Sequence, residues 1–364
     1  MLRDEMKLSE FKRRLVAGSF PAFPDLATAL ERLHFVQADP IRSPARAQDL
    51  MLRQRVVGYR AGDLEEGFED LDAEEGYLFA YGFMKPEVWS DLRGRNREGL
   101  SELEKEVLAA VSRLGEAHPR DLDDEFGQRA VKNYWGGKSK ETKRVLEELH
   151  DDGFLRVSRR EKGIRIYQVP AEAIEEERDP VERFSRLTLL TARIFGPTTK
   201  SFLLSELKAL NHLVPKRAER ERAVEQLIAE GELEELMVEG INYLWKSEEW
   251  QLDGVPERVR ILAPFDLLVR NRQRFEQVWN WRYRFEAYVP AAKRERGYYA
   301  MPLLWRDEVI GWVNAKVTGK RLEVEPGFAS VRPREQRFRK ALEEEVEAMA
   351  VFLGLESGAW EVTR

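Results

Sequence analysis

One order of predicted elements occurs twice along the chain, and this repeat constrains the fold more than any other feature of the sequence. In 101–170, three segments with the apolar spacing of helices precede an alternating stretch, a charged turn and a second alternating stretch. The same order returns at 186–247, with Glu239-Gly240 at the turn between the two strands. Three helices followed by a hairpin are typical of a winged helix. We therefore expect two winged helices in tandem.

The first of these segments has features that suit contact with DNA. His118 is predicted to begin its second helix, and Ser139 is predicted to cap its third. In winged helices the third helix and the hairpin, here within 137–168, commonly contact DNA. A winged helix that binds another protein would have the same pattern. The hairpin of 186–247 is acidic, so we expect it to serve packing more than contact with phosphates.

Further elements are predicted on both sides of the repeat. Helical spacing indicates short helices at 8–18, 25–34 and 44–56, followed by an acidic linker at 61–76, and these helices could form a third unit of the same kind. After 258, apolar alternation predicts a small antiparallel sheet or barrel. Its expected strands are 259–262, 285–289, 297–304, 308–316 and 321–324. An amphipathic helix at 333–353 is expected to follow them.

These elements place the protein in the α+β class, with tandem winged-helix (helix-turn-helix) domains followed by a C-terminal small antiparallel β-barrel or sheet. The expected domains are 1–95, 96–172, 180–250 and 255–364.

The distribution of charge along the chain is more informative than its sum. There are 60 Lys and Arg residues against 66 Asp and Glu residues, and the net charge of −6 excludes a uniformly basic coating protein. However, 61–80 holds eight acids and no bases, whereas 258–297 holds ten bases and four acids. Phosphate binding depends on the local field. We expect one positive face lined by 258–297 and 137–168, with the acidic excess on the convex back.

Several classes of site are excluded or disfavoured by composition. The chain has no cysteine, which excludes disulfides, thiolate zinc sites, iron–sulfur clusters and cysteine nucleophiles. Its four histidines are widely spaced, so we predict no metal and no cofactor. The charged N-terminus lacks the apolar core of a signal peptide, and no apolar run reaches about 18 residues. We expect a cytoplasmic monomer that does not bind membranes.

Gln37-Ala38-Asp39 could carry chemistry. Residues two apart in an extended segment point to one side, so Gln37 and Asp39 can face a common space. An amide beside a carboxylate can hold and polarise a water molecule, and the carboxylate can stabilise a positively charged sugar transition state. The alternative is structural: Asp39 before Pro40 suits a helix N-cap with proline at the first helical position, and Gln37 could be a surface residue.

Arginines and aromatic residues alternate after Pro264-Phe265-Asp266. Arg270, Arg272 and Arg274 are followed by Trp279, Trp281, Arg282, Tyr283 and Arg284. Such a series suits contact with phosphates and stacking on bases. A buried strand with solvated arginines and salt bridges would give the same series, and the sequence does not separate the two.

The chain resembles the AlkZ/YcaQ (AlkX-like) family of winged-helix DNA glycosylases over nearly its whole length. The resemblance rests on Val36-Gln37-Ala38-Asp39-Pro40, Pro44-Ala45-Arg46-Ala47, 263–268, 285–294, Gly297-Tyr298-Tyr299 and Pro302-Leu303-Leu304. Gln37-Ala38-Asp39 matches the Gln-apolar-Asp version of the family's catalytic motif, which is found in the YcaQ-like branch. The AlkZ branch has Gln-apolar-Gln instead.

The resemblance implies three tandem winged helices and a C-terminal β-barrel that form a concave DNA-binding face. It also implies hydrolysis of the N-glycosidic bond of N7-alkylated purines and unhooking of interstrand crosslinks made by nitrogen-mustard-type agents. Asp39 would activate the water and stabilise the oxocarbenium-like sugar, and Gln37 would position that water. Because no lysine adjoins the motif to form a Schiff base, we expect a monofunctional glycosylase.

The expected partner is double-stranded DNA that carries alkylated or crosslinked bases. The residues expected to bind it are Arg46, Lys138, Lys140, Lys143, Arg270, Arg272, Lys293 and Arg294. The main alternative is a non-catalytic tandem winged-helix regulator that binds DNA, and a weaker one is a scaffold for protein interactions.

Three stretches depart from the family's pattern while the Gln-Ala-Asp motif is kept. Many relatives have Trp-x-His-Glu-Ala where this chain has 78–86, and a His pair where it has Gln48-Asp49. A usual Gly-Arg-x-Asp-x-Lys is replaced by Gly311-Trp312-Val313-Asn314-Ala315-Lys316.

Overall fold

A computed structural model describes residues 5–93, 99–127, 130–132, 138–170, 179–246, 255–329 and 331–363. It begins with helix α1 (Leu8–Ser19). Unit 1 (26–92) then contains α2 (Leu26–Leu33), β1 (Phe35–Gln37), α3 (Ala47–Leu52), α4 (Asp63–Glu66), a 3₁₀ turn (Phe68–Asp70), β2 (Glu74–Tyr77), β3 (Tyr81–Met84) and α5 (Pro86–Leu92). Its three strands form an antiparallel sheet in the order β1-β3-β2.

Unit 2 (102–168) contains α6 (Glu102–Leu114), β4 (Glu116–Ala117), α7 (Asp123–Phe126), β5 (Ala130–Lys132), β6 (Lys138–Lys140), α8 (Glu141–Asp151), β7 (Arg156–Glu161) and β8 (Ile164–Gln168). Unit 3 (180–245) contains α9 (Pro180–Phe195), β9 (Thr198–Thr199), α10 (Lys200–Glu206), a 3₁₀ turn (Leu207–Leu210), α11 (Arg217–Ala229), β10 (Glu234–Val238) and β11 (Ile241–Trp245). Their sheets have the orders β4-β8-β7 and β9-β11-β10.

The three units therefore share one topology. In each, a short strand after the first helix pairs with the last strand, which pairs with the strand before it. This arrangement agrees with the order predicted for 101–170 and 186–247. The same topology occurs in unit 1, where the sequence predicted helices and a linker that could form a third unit of this kind but no strands.

The C-terminal region (259–362) is built around one five-stranded sheet. Its elements are β12 (Val259–Ile261), α12 (Leu267–Arg270), α13 (Arg272–Trp279), a 3₁₀ turn (Ala291–Lys293), β13 (Met301–Trp305), β14 (Glu308–Thr318), β15 (Arg321–Phe328), α14 (Gln336–Phe352) and β16 (Trp360–Val362). The strands follow chain order, and β12 and β16 form the two edges. The sequence predicted an antiparallel sheet. This prediction is wrong at one edge, because β16 is parallel to β15.

Several predicted elements are wrong in place or kind. The segment 61–76 is not a linker, because it contains α4 and enters β2. The predicted strand 285–289 is an irregular segment, and the predicted helix 44–56 is helical only at Ala47–Leu52. His118 does not begin a helix, since α7 starts at Asp123. Ser139 lies in β6, and the N-cap position of α8 is Lys140.

The acidic segment has partners that the sequence could not show. Glu74 and Glu75 of β2 are buried, where unpaired charges would be costly. Arg156 lies 2.8 Å from Glu74, and the Nε and Nη2 atoms of Arg160 donate to the two carboxylate oxygens of Glu75 at 2.6 and 2.5 Å. The hairpin of unit 2 thus packs on unit 1 through ion pairs. It follows that Arg156 and Arg160 are used for packing between the units, whereas Arg159 is more exposed and pairs with Glu116 inside unit 2.

The acidic hairpin of unit 3 packs against the start of the described chain, in line with its predicted role. The backbone N–H of Leu8 donates to Glu239 at 3.3 Å, and the N–H of Met6 donates to the carbonyl of Met237 at 2.9 Å. The rings of Phe11 and Tyr243 are 4.8 Å apart. Helix α1 therefore packs on unit 3. Within the described ranges, no helix is both long and apolar enough to span a bilayer.

His150 gives the boundary between units 1 and 2 a predicted pH dependence. Its Nδ1 lies 3.1 Å from the carbonyl of Leu155, and its Nε2 lies 3.3 Å from the hydroxyl of Tyr81. Burial, assisted by the charge of Arg165, lowers the pKa of His150 from 6.5 to about 4. Between these values the unfolded chain binds a proton that the folded protein excludes. The free energy of unfolding should therefore fall as the pH drops through this range.

The expected loss from His150 is on the order of 3 kcal/mol by pH 4. It can be measured by urea unfolding at pH 7, 5.5 and 4.5 for the wild type and for His150→Gln, whose side chain does not titrate. The variant should show the weaker dependence on pH. Parallel curves for the two proteins would contradict the assignment.

Candidate active site

The motif Gln37-Ala38-Asp39 lies where β1 ends and the chain leaves the sheet of unit 1. Gln37 stands opposite Gly82 in β3, and the N–H of Ala38 donates to the carbonyl of Tyr81 at 2.9 Å. A Cβ at position 82 would lie 2.5 Å from both the carbonyl oxygen of Val36 and the ring of Phe35. Glycine is therefore required beside the motif. The backbone of Gln37 is fixed by this pairing, and the residue is 7% exposed.

The side chain of Asp39 holds the loop that follows it. Its Oδ1 accepts a hydrogen bond from the N–H of Ile41 at 2.9 Å, while among the described residues its Oδ2 makes no hydrogen bond. Residues 40–46 are not helical, and α3 begins only at Ala47. The helix-capping alternative for Asp39 is therefore wrong. Burial raises the pKa of this carboxyl group, against the opposing hydrogen bond from Ile41.

Gln48 holds the motif from the other side. Its Oε1 accepts from the backbone N–H of Asp39 at 3.2 Å, and its Nε2 donates to Glu65 at 3.2 Å. The guanidinium of Arg46 forms an ion pair with the same Glu65 carboxylate. The next residue, Asp49, accepts from the hydroxyl of Tyr59 at 2.7 Å. In this chain, Arg46, Gln48 and Asp49 are therefore scaffold for the loop that carries Asp39.

Arg270 joins Gln37 to two other parts of the molecule. Its Nη1 donates to Oε1 of Gln37 at 2.9 Å, and its Nη2 donates to Glu206 in α10 at 2.8 Å. The guanidinium lies over the ring of Phe79, 4.9 Å from the centroid. Unit 1, unit 3 and the C-terminal region therefore meet at the guanidinium of Arg270. This contact fixes the orientation of the amide, because only its oxygen can accept from arginine.

Tyrosines from the segment between α13 and β13 lie close enough to Asp39 to be affected by its charge. The pKa values of Tyr288 and Tyr299 are raised by burial and then by the charge of Asp39. The ring of Phe285 lies 6.1 Å from that of Tyr288 and 5.4 Å from that of Tyr299. Tyr298 and Tyr299, together with Ser43 from the loop after Asp39, line a cavity of about 740 Å³. The sequence predicted strands in this segment and DNA-binding roles for Lys293 and Arg294, but it assigned these tyrosines no role.

Glu286 explains why the segment with Tyr288, Tyr298 and Tyr299 has no regular secondary structure and is still held in one conformation. Its carboxylate is almost fully buried and accepts hydrogen bonds from the N–H groups of Glu295, Arg296 and Gly297 at 2.9–3.2 Å. Burial alone would raise its pKa, but these three donors hold the pKa below its ordinary value. The loop before Tyr298 is thus bound to a fixed negative charge, which sets where the tyrosines stand.

The arginines expected to bind DNA lie in different environments, some beside the motif and one buried in the fold. Arg46 and Arg270 lie beside the motif, and Arg294 lies over Tyr298, 5.0 Å from the ring centroid. Arg272 is used inside the fold, because its Nη1 and Nη2 donate to the carbonyls of Val269 and Pro264 at 2.8 and 2.7 Å. Burial lowers the pKa of Arg272 to about 10.

The lysines lie farther from the motif. Lys140 pairs with Asp123 in unit 2, Lys143 is exposed and lies 3.9 Å from Glu147, and Lys293 is exposed on its 3₁₀ turn. The side chain of Lys138 lies outside the described residues. Within the described ranges, no three or more His, Asp or Glu side chains are placed to hold a metal ion.

The sequence predicted that the acidic residues lie on a convex back, away from the positive face, and this prediction needs correction for part of 61–80. Of the acids in 61–80, Glu65 pairs with Arg46 beside the motif, and Glu74 and Glu75 are buried against unit 2. These acids do not lie on a remote convex back. They neutralise arginines that the fold brings to the boundary between units 1 and 2.

Two comparisons with known proteins agree with this geometry. The model of the family described as DNA glycosylase AlkZ-like matches residues 30–352. Among solved structures, the DNA glycosylase AlkZ of Streptomyces sahachiroi is similar, with a TM-score of 0.68 and 16% sequence identity. The match covers 99% of this chain and 100% of that one. At this identity, the structural likeness shows a common fold.

Proposed function

This chain belongs to the AlkZ-like family of DNA glycosylases, and we propose that it releases N7-alkylated purines from double-stranded DNA and unhooks interstrand crosslinks of the nitrogen-mustard type. One observation carries this proposal. Gln37 and Asp39 lie together at the end of β1, with the amide oriented by Arg270 and one carboxylate oxygen of Asp39 without a hydrogen bond among the described residues. An oriented amide beside an available carboxylate suits the capture and activation of water.

The proposed reaction is a hydrolysis at C1′ of the damaged nucleotide. The bond from C1′ to the purine nitrogen breaks, and its electron pair neutralises the positive charge that N7 alkylation placed on the base. Water bonds to C1′ and gives its proton to Asp39, whose carboxylate also stabilises the oxocarbenium-like sugar. The raised pKa of Asp39 makes it a stronger base. A cationic base leaves easily, so little general acid is needed.

Gln37 is proposed to position the water. Because its Oε1 accepts from Arg270, its Nε2 is the end that donates to a water molecule. The amide donor and the carboxylate acceptor would then hold the water from two directions. Arg270 is accordingly a positioning residue, which acts on the water through Gln37.

We propose a monofunctional enzyme. A lyase step requires an amine that forms a Schiff base with the sugar. The cations that contact the motif or its scaffold in the described residues are Arg46 and Arg270, and guanidinium groups do not perform this chemistry. Borohydride should therefore trap no covalent complex between protein and DNA.

The shared topology supports the proposal that units 1, 2 and 3 are winged helices. With the C-terminal region, they would form the four domains expected from the sequence and surround the DNA near the motif. The exposed cations Lys143 and Lys293 are the best placed of the expected residues for phosphate contact.

The substrate assignment is tested with two duplexes, one with a single N7-methylguanine and one with a mustard crosslink. Release of free base and appearance of abasic sites in both would support the proposal. Binding without release from either duplex would overturn it in favour of the regulator. An affinity for DNA that does not fall with added salt would favour the protein scaffold, because phosphate contacts release counterions.

The variant Arg270→Lys should show whether Arg270 positions Gln37 or binds a phosphate of the DNA. Lysine keeps the charge but loses the planar fork that joins Gln37 to Glu206, so we expect the single-turnover rate of base release to fall about tenfold. The dissociation constant for DNA and its salt dependence should be unchanged. Lys293→Ala, which removes an exposed cation, should instead weaken binding and reduce the salt slope by about 0.9. The reverse pattern would show that Arg270 binds phosphate.

A further inference from the structure

The turn of the unit 2 hairpin lies against the loop that follows Asp39. A Cβ placed on Gly163, in the two-residue turn Lys162-Gly163, would lie 3.6 Å from Nη2 of Arg46. Arg46 belongs to the loop between β1 and α3, and so does Arg42. The side chains of Arg42 and Lys162 are exposed, and neither makes a hydrogen bond or an ion pair within the described part of the chain.

We propose that Arg42 and Lys162 form one phosphate-binding site, which holds the backbone of the damaged DNA strand beside Asp39. The proposal rests on the proposed function and deepens it. Neither residue is among those that the sequence predicted to bind DNA. The site joins two units, because one cation comes from unit 1 and the other from the hairpin of unit 2.

The position of the turn is set by contacts with the sheet of unit 1. Arg160, which pairs with Glu75, also donates through its Nη1 to the carbonyl of Gly163 at 3.2 Å. On the other strand of the hairpin, the guanidinium of Arg165 lies over the ring of Tyr81, 4.2 Å from the centroid. The carbonyl of Tyr81 accepts from the backbone of the motif itself. The hairpin is therefore bound to the strand that borders the motif.

The charges at this boundary favour an anion at Arg42 and Lys162. Arg46 is not available, because its guanidinium already pairs with Glu65. Burial lowers the pKa of Arg46, and the charge of Arg42 lowers it further, which agrees with two guanidinium groups close together. Arg42 thus lies near the same side chain that the turn of unit 2 approaches. Two cations without counter-charges near one point attract a phosphate group.

The distance to Asp39 limits which phosphates the site can hold. Arg42 is the third residue after Asp39, so their Cα atoms are at most about 11 Å apart. One strand of DNA rises about 3.4 Å per nucleotide along the helix axis. The phosphates in question therefore lie within about three nucleotides of the sugar that faces Asp39.

The corresponding turn of unit 3 has the same backbone and the opposite charge. The φ angles are +50° and +82° at Lys162 and Gly163, and +43° and +77° at Glu239 and Gly240. Such left-handed pairs are typical of two-residue hairpin turns. Glu239 accepts from the N–H of Leu8, so its charge is used inside the molecule. The turn of unit 2 instead presents a free cation, and backbone geometry does not explain this difference.

The test combines protein variants with duplexes in which a neutral methylphosphonate replaces one phosphate near an N7-methylguanine. The wild type should bind about 3- to 10-fold more weakly at one or two of these positions. Arg42→Gln and Lys162→Asn each remove one charge, and asparagine tolerates the left-handed backbone of the turn. On the intact duplex, each variant should lose about 3- to 10-fold in affinity and about 0.9 of the salt slope.

The two changes should also be non-additive. A variant that lacks the cation should lose no further affinity when the phosphate contacted by that cation is neutralised. Lys7→Gln is the matched control, because Lys7 is an exposed lysine beside the acidic hairpin of unit 3, and it should bind as the wild type. The thermal midpoints of Arg42→Gln and Lys162→Asn should be unchanged, since their side chains have no partner among the described residues.

Wild-type affinity and salt slope in both variants would overturn the proposal. Methylphosphonate losses as large in the variants as in the wild type would overturn it as well. If Lys162→Asn failed to fold, Arg42→Gln would decide the outcome alone. Because binding is measured directly, absence of base release by the wild type would overturn the proposed function, and the phosphate experiment would still decide this site.

Discussion

Replacing Asp39 by Asn is expected to reduce the rate of base release about 10²- to 10⁴-fold and to leave DNA binding nearly unchanged. The amide has the shape of the carboxylate, and its oxygen can still accept from Ile41, so the loop should keep its conformation. It cannot take a proton from water, and it offers no negative charge to the oxocarbenium-like sugar. The loss should therefore appear in the chemical step alone.

Single-turnover release from an N7-methylguanine duplex measures this loss, and a binding assay on the same duplex measures the affinity. Asp72→Asn is a matched control, because Asp72 is an exposed acid that pairs with Lys85 away from the motif. It should behave as the wild type. Normal release by Asp39→Asn would sink the role assigned to Asp39, whereas equal losses of release and binding would point to a binding defect.

The dependence of the rate on pH adds an independent check on Asp39. The carboxylate is the active form, and burial raises its pKa above 3.8. The wild-type rate should therefore fall on the acid side at a pH above this ordinary value, as the carboxyl group takes up a proton. The small residual rate of Asp39→Asn should lack this limb.

The repeated topology could be predicted from periodicity in units 2 and 3 but not in unit 1. The strand β2 contains Glu74-Glu75, which in a sequence indicates a solvated segment. The arginines that neutralise these acids are more than 80 residues later, in unit 2. The predicted strand 285–289 failed for a related reason, because Glu286 binds the backbone of 295–297 and prevents a regular strand. Both errors come from buried charges whose partners a local pattern does not show, 85 residues away for Glu75 and 9 to 11 residues away for Glu286.

In the candidate site too, a local sequence pattern could predict some residues, whereas others depend on contacts between distant parts of the chain. Spacing and resemblance predict Gln37 and Asp39 as the catalytic pair, and this role stays a prediction. The contact of Gln37 with Arg270 spans 233 residues, and no local pattern assigns that arginine to an amide instead of a phosphate.

Asp266→Ala is expected to lower the free energy of unfolding by about 3–5 kcal/mol, because it leaves a buried arginine without its counter-charge. Arg55 and Asp266 are 1% and 0% exposed at their side chains, and their two hydrogen bonds measure 2.7 and 3.0 Å. Asp266 also accepts from the N–H of Leu268 at the start of α12, and Arg55 donates to the carbonyl of Ser19. The pair therefore ties unit 1 to the helix that ends in Arg270.

Urea unfolding of Asp266→Ala, Arg55→Met and the double variant tests this claim as a cycle. Each single change leaves one charge buried alone, whereas the double change removes both, so the double variant should be less destabilised than the sum by about 2–3 kcal/mol. The exposed pair Arg217–Glu221 gives a control cycle, with coupling of about 0.5 kcal/mol or less. Additive losses at Arg55 and Asp266 would mean that the pair is not coupled. Because α12 carries Arg270, Asp266→Ala should also slow base release at urea concentrations where the variant is still folded. Such a loss would connect this buried ion pair to the position of Gln37.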